Sequence, residues 1–109
     1  MTKVDIVRRS GKIVSVECDG HTGYGAEGED VVCAALSSIV QTAVLGLMGV
    51  AGINVKLERD DKRGYLKASL PDSLDKETRR DADTILETML MGIADLYEGY
   101  SDFIELEVR

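Results

Sequence analysis

The chain opens with an alternating stretch. Val4, Ile6 and Arg8 interleave with Asp5, Val7 and Arg9, the spacing of a half-buried β-strand. Ser10-Gly11 offers a two-residue hairpin turn. Alternation resumes from Ile13 to Cys18 and puts Val14, Val16 and Cys18 on one face. A glycine-rich loop over residues 19–29 leads to a helix from 31 to about 48, which the chain leaves at Gly49 and Gly52. Ile53, Val55 and Leu57 begin a second hairpin, residues 60–64 turn it, and Leu66, Ala68 and Leu70 return. Pro71 ends that strand because it lacks a backbone donor. A second helix starts near Ser73 or Asp75 and reaches about Gly99. Ala82, Leu86, Met89, Leu90, Ile93 and Leu96 share one face of it at helical spacing. Ile104, Leu106 and Val108 form a last strand, with Phe103, Glu105 and Glu107 opposite.

The order ββαββαβ predicts an α+β fold: a mostly antiparallel sheet with two helices packed on one face, residues 1–109 forming a single domain. The two helices differ. Residues 31–53 carry no charge at all, a length that could cross a bilayer. Ser37, Ser38, Gln41, Thr42 and three glycines dilute that stretch, and strand patterns flank it, so it reads as a buried core helix rather than a membrane span. A helix apolar nearly all round needs cover on more than one side. The second helix or a second copy of the chain could supply it, which predicts a homodimer.

Charge narrows the partners. Lys and Arg total 13 and Asp and Glu total 20, a net charge of −7 over 109 residues. Phosphate gripping needs clustered cations, so direct nucleic-acid binding is not expected, whereas a basic partner suits the acidic surface. The two cysteines cannot build a disulfide framework, and the start Met1-Thr2-Lys3-Val4-Asp5 has no secretory pattern. Free thiols and a cytoplasmic location follow as expectations.

The candidate chemistry gathers around the glycine loop. His21 is the only histidine. It stands at the loop's mouth, just behind Gly20. Asp30 is a natural N-cap, which puts Cys33 near the third helical position. The first turn of a helix offers unpaired N–H groups and partial positive charge, an address that favours a thiolate. An imidazole nearby can take the thiol proton, and the N–H groups can hold an oxyanion. The plainer reading of Cys33, in an Ala-Ala-Leu context, is a small buried hydrophobe. Cys18 continues a strand face and reads as core. Ser37, one turn beyond Cys33, either bonds near the thiol or back-bonds to a helix carbonyl. Gly23-Tyr24-Gly25-Ala26-Glu27-Gly28 also spells GxGxxG. Its hairpin setting and the carboxylates of Glu27, Glu29 and Asp30 oppose a dinucleotide, leaving a mobile loop or a plain connection. No paired ligand spacing supports a metal, and no cofactor is expected.

Gly20-His21-Thr22-Gly23 followed by Gly28-Glu29-Asp30-Val31-Val32-Cys33-Ala34-Ala35-Leu36-Ser37 resembles the motif of the ribosomal-processing cysteine proteases called Prp. The resemblance implies a homodimeric endopeptidase that removes an N-terminal extension from large-subunit ribosomal protein twenty-seven during ribosome assembly. It implies Cys33 as nucleophile and His21 as general base. Asp30 and Ser37 fall at supporting positions, and Gly20 falls where a loop hinge is expected. Thr22 stands where small residues such as Ala are common. The rival from another class is a non-catalytic, ribosome-associated or protein-binding module.

Overall fold

The structure is a computed structural model that describes residues 1–20 and 29–109. Its elements are β1 (Thr2–Arg9), β2 (Lys12–Asp19), α1 (Glu29–Gly49), β3 (Lys56–Asp60), β4 (Tyr65–Ser69), α2 (Lys76–Gly99) and β5 (Ile104–Val108). They form one five-stranded sheet in the order β3-β4-β2-β1-β5. Three pairings are antiparallel, and β1 with β5 is parallel. Both helices lie on one face, as expected from the ββαββαβ order.

The first hairpin turns on Ser10 (φ 53°) and Gly11 (φ 80°). Two consecutive positive φ values match the right-handed strand twist, which is why a Ser-Gly pair suffices. The register then slips: Val7 faces Ser15, but Arg8 faces Ile13. Val14 is the extra residue of a bulge. This corrects the expected face of β2, since Ile13, Val16 and Cys18 are buried and Val14 is not.

α2 is amphipathic as its sequence indicates. Asp75 caps it by accepting the Thr78 N–H at 2.8 Å. Ala82, Leu86, Met89 and Ile93 are its buried stripe. Arg8 donates to Glu87 and Lys12 to Asp83, tying the outer side of α2 to the first hairpin. α1 packs by burial of Val32, Leu36, Val40, Ala43, Val44 and Leu47. The two helices approach closely because Gly46 faces Ile85 and Gly92 faces Ile39. A Cβ added at Gly92 would touch Ile39 at 3.5 Å. Among the described residues, the stretch Val31–Gly49 is long and apolar enough to cross a membrane by length and composition. Only a third of it is buried here, and Val31, Leu45 and Met48 are exposed.

Candidate active site

The site forms where the start of β1, the end of β2, the first half of α1 and the β3–β4 hairpin meet. Thr2, Val4 and Ile6 point inward from β1 at period two. Cys18 pairs opposite Val4 on β2. Immediately beyond β2, the Gly20 N–H donates to the Gly64 carbonyl at 2.9 Å and ties the chain to the β3–β4 turn. Gly64 itself needs its positive φ of 69°. The chain next enters the described fold at Glu29, as the first turn of α1.

A cleft of about 190 Å³ opens there. Cys33 and Ser37 line it from α1, Thr2 and Cys18 from the sheet, and Arg59 and Tyr65 from the second hairpin. Both cysteines are free; Cys33 is half-buried and Cys18 buried. The Thr2 hydroxyl lies 2.7 Å from Cys33 Sγ. Ser37 accepts a hydrogen bond from Gln41 Nε2 at 3.2 Å, so its hydroxyl is engaged by its own helix while it borders the cleft with Cys33. The Cys18 thiol is pushed up to about 12, chiefly by burial and then by charge at Cys33 and Glu17. It therefore stays neutral, the state of a core sulfur.

The rim is polar and tightly paired. Arg63 makes a two-pronged contact with Asp19, at 3.2 and 2.8 Å, and lies 4.3 Å over the Tyr65 ring. The Tyr65 hydroxyl donates to Glu17 at 2.6 Å. That bond, helped by desolvation and by the Glu17 charge, pushes the phenol up to about 12. Hairpin charge is thus committed within the rim, next to the cleft.

The sequence-predicted residues fare differently. Cys33, Ser37 and Gly20 all border the cleft. Gly20 has no positive φ. A Cβ there would meet Thr2 Oγ1 at 3.3 Å and the Gly64 carbonyl at 3.4 Å, so its glycine keeps space beside Thr2. His21 lies outside the described residues, as do the GxGxxG segment and Thr22. Asp30 is not the residue ahead of the helix: α1 begins at Glu29, so Asp30 is its second residue and Cys33 its fifth. Only the first four N–H groups of a helix lack internal partners. The Cys33 N–H is therefore committed to the helix, and the macrodipole, which falls off within one turn, acts on this sulfur less than a third-position residue would feel. Thr2 and the hairpin wall escaped the sequence reading. Thr2 carried a signal nonetheless, as the first member of the inward series Thr2, Val4, Ile6. Among the described residues, no group of three or more His, Cys, Asp or Glu could hold a metal ion.

A half-buried free thiol on a helix at the wall of a cleft supplies the nucleophile position of a cysteine hydrolase, whose base would have to come from outside the described residues. The comparisons with known proteins specify which. The family model described as cysteine protease Prp matches residues 1–105. The ribosomal processing cysteine protease Prp of Bacillus subtilis is 33% identical over 90 residues, covering 83% of this chain and 80% of its own length. The crystal structure of the ribosomal processing protease Prp from S. aureus with a substrate peptide superposes with a TM-score of 0.89. It is 29% identical and both chains are fully covered. A second structure of the S. aureus enzyme, with a covalently linked product peptide, gives a TM-score of 0.83 at 30% identity, again over both full chains. The chain belongs to the Prp family of cysteine proteases.

Proposed function

We propose that this protein is the host's ribosomal processing endopeptidase and that it removes the N-terminal extension of large-subunit ribosomal protein twenty-seven. Cys33 is the nucleophile and His21 the general base. The observation that carries the reading is the placement of Cys33: a free, half-buried sulfur on the wall of an open cleft of about 190 Å³. The S. aureus relative holds a covalently linked product peptide, which is what thiol attack by a homologous cysteine would leave.

His21 takes the Cys33 proton, and the sulfur attacks the scissile carbonyl carbon. As the carbon–sulfur bond holds and the carbon–nitrogen bond breaks, the imidazolium gives its proton to the departing amine. The mature protein leaves and the extension stays as a thioester on Cys33. Water, deprotonated by His21, then hydrolyses it. The oxyanion is held by N–H groups from the first turn of α1, residues 29–32. Asp30, inside that turn, either orients His21 or serves the helix start, and Ser37 shapes the cleft wall. Gly20 leads into the loop that carries His21.

The whole of residues 1–109 acts as a single protease domain, in the cytoplasm, with a peptide substrate and without a cofactor, nucleic acid or membrane. The exposed Val31, Leu45 and Met48 on α1 favour a homodimer, since pairing would cover them. A net charge of −7 favours a basic ribosomal protein precursor over an acidic one.

The test is incubation with the host's precursor, read by intact mass. Wild type should release the extension as one defined fragment, and Cys33→Ala should bind the precursor and cut none. Cleavage by Cys33→Ala would overturn the assignment of the nucleophile. An uncut precursor with wild type would overturn the substrate.

A further inference from the structure

Thr2 is 4% exposed and is the buried polar residue among the described ones. A buried hydroxyl without a partner is costly, so such groups are bonded. The partner here is Cys33 Sγ at 2.7 Å, thirty-one residues away in sequence. Three features hold the hydroxyl in place. The Thr2 N–H donates to the Phe103 carbonyl at 2.9 Å. Thr2 pairs with Ile104 in the parallel β1–β5 ladder. Gly20 leaves room beside it, since a Cβ there would stand 3.3 Å from Thr2 Oγ1 and 3.4 Å from Cγ2. The sheet is thus built to present one hydroxyl to one sulfur.

We infer that Thr2 is a positioning residue for the Cys33 nucleophile, its hydroxyl following the sulfur between the thiol and thiolate states. The inference rests on the reading of Cys33 as nucleophile. A hydroxyl both accepts and donates. It accepts from S–H when Cys33 is a thiol. It must donate when Cys33 is a thiolate, because a thiolate can only accept. The proton leaving sulfur goes to the imidazole, and Thr2 keeps its own proton throughout. The second bond is charge-assisted and stronger than the first, and in both states the contact holds the sulfur beside the sheet end that borders the cleft. This role matters because Cys33 is the fifth residue of α1, a full turn from the helix start, where helix N–H groups and dipole do least for it.

The test compares wild type, Thr2→Val and Thr2→Ser. Two readouts are taken against pH: iodoacetamide uptake at Cys33, located by peptide mass, and precursor cleavage. Valine keeps the shape and β-branching but removes the hydroxyl. Its alkylation profile should move to higher pH. Alkylation and cleavage should each fall about threefold to tenfold near pH 7, the worth of one such hydrogen bond. The loss should shrink as pH rises. Thr2→Ser, which restores the hydroxyl, should recover the wild-type profile. A Thr2→Val profile that superimposes on wild type overturns the inference, as does a loss that is the same at every pH. Cleavage by Cys33→Ala measured in parallel would instead overturn the nucleophile reading on which the inference rests, so the two failures are told apart.

Discussion

Two sulfurs share one cleft. Cys18 comes from the end of β2 and Cys33 from the first half of α1. They are the same atom type within the same 190 Å³ space, yet their surroundings are opposite. Cys18 lies between β1 and β4, opposite Val4 and Leu66, where burial is the chief cause that pushes the thiol up to about 12. Cys33 stands on a helix side that opens to the cleft and meets the Thr2 hydroxyl. The contrast shows that reactivity here is assigned by the element that carries the sulfur and by a single neighbouring group. The two sulfurs are also linked: after burial, charge at Cys33 is the next cause that holds the Cys18 thiol up.

The largest consequence is chemical selectivity. A thiol titrating near 12 is ionised to about one part in 10⁴ at pH 8, and only the thiolate reacts. The native protein should take up one equivalent of iodoacetamide, at Cys33, well before any reaction at Cys18. The second equivalent should enter only in denaturant. Peptide mass mapping over time checks this, and comparable rates at the two sulfurs would break the contrast.

A smaller effect separates their structural roles. Cys18→Ser puts a more polar hydroxyl at a buried position between two apolar cross-strand neighbours, and should cost about 1–3 kcal/mol in urea unfolding. Cys33→Ser, on a half-buried site with Thr2 at hand, should shift the midpoint much less while abolishing turnover. Equal losses of stability would mean that both sulfurs are core residues, and the chemistry would have to be sought elsewhere.

The sequence shows this contrast only partly, and the reasons are physical. The buried stripe of α2 and its Asp75 cap follow from local spacing, and they stand as the pattern indicates. The second hairpin forms about its expected turn, but its first strand begins at Lys56 rather than Ile53 and is exposed throughout, so the spacing of Ile53, Val55 and Leu57 does not mark a buried strand face. Cys18 was legible as core from period two alone. Val14 was not, because a bulge displaces one residue and flips the alternation between Val7 and Arg8. A bulge leaves no mark in a run as uniform as Ile13-Val14-Ser15-Val16. The start of α1 was misplaced by two residues because Asp30 is a good cap by type, whereas the chain begins its helix at Glu29. The Thr2–Cys33 contact was out of reach for a different reason. It depends on β1 pairing in parallel with β5 and on α1 crossing above that end of the sheet, a juxtaposition no local spacing encodes.

The smallest effect tests whether the contrast is local. β1 offers Thr2 to the cleft at one end and is tied to the last residue of the chain further along. Asp5 accepts two hydrogen bonds from Arg109, at 3.0 and 2.7 Å. That guanidinium, through hydrogen bonding first, holds the Asp5 carboxyl below the usual carboxylate range. A carboxyl lowered on folding stabilises the protein above its unfolded value, ~3.9. That contribution is lost as pH falls through the lower folded-state value. Asp5→Asn should therefore reduce the unfolding midpoint slightly at pH 7, and its curve should rejoin that of wild type in strong acid. The pair is exposed on the arginine side, with 62% of the Arg109 side chain accessible, so salt should narrow the difference further. If the behaviour of the two sulfurs is set by their own neighbours, the alkylation preference for Cys33 should survive this substitution intact. A preference that collapsed along with the Asp5–Arg109 tie would show that the edge of the sheet, rather than the Thr2 hydroxyl and the burial of Cys18, holds the two sulfurs apart in reactivity.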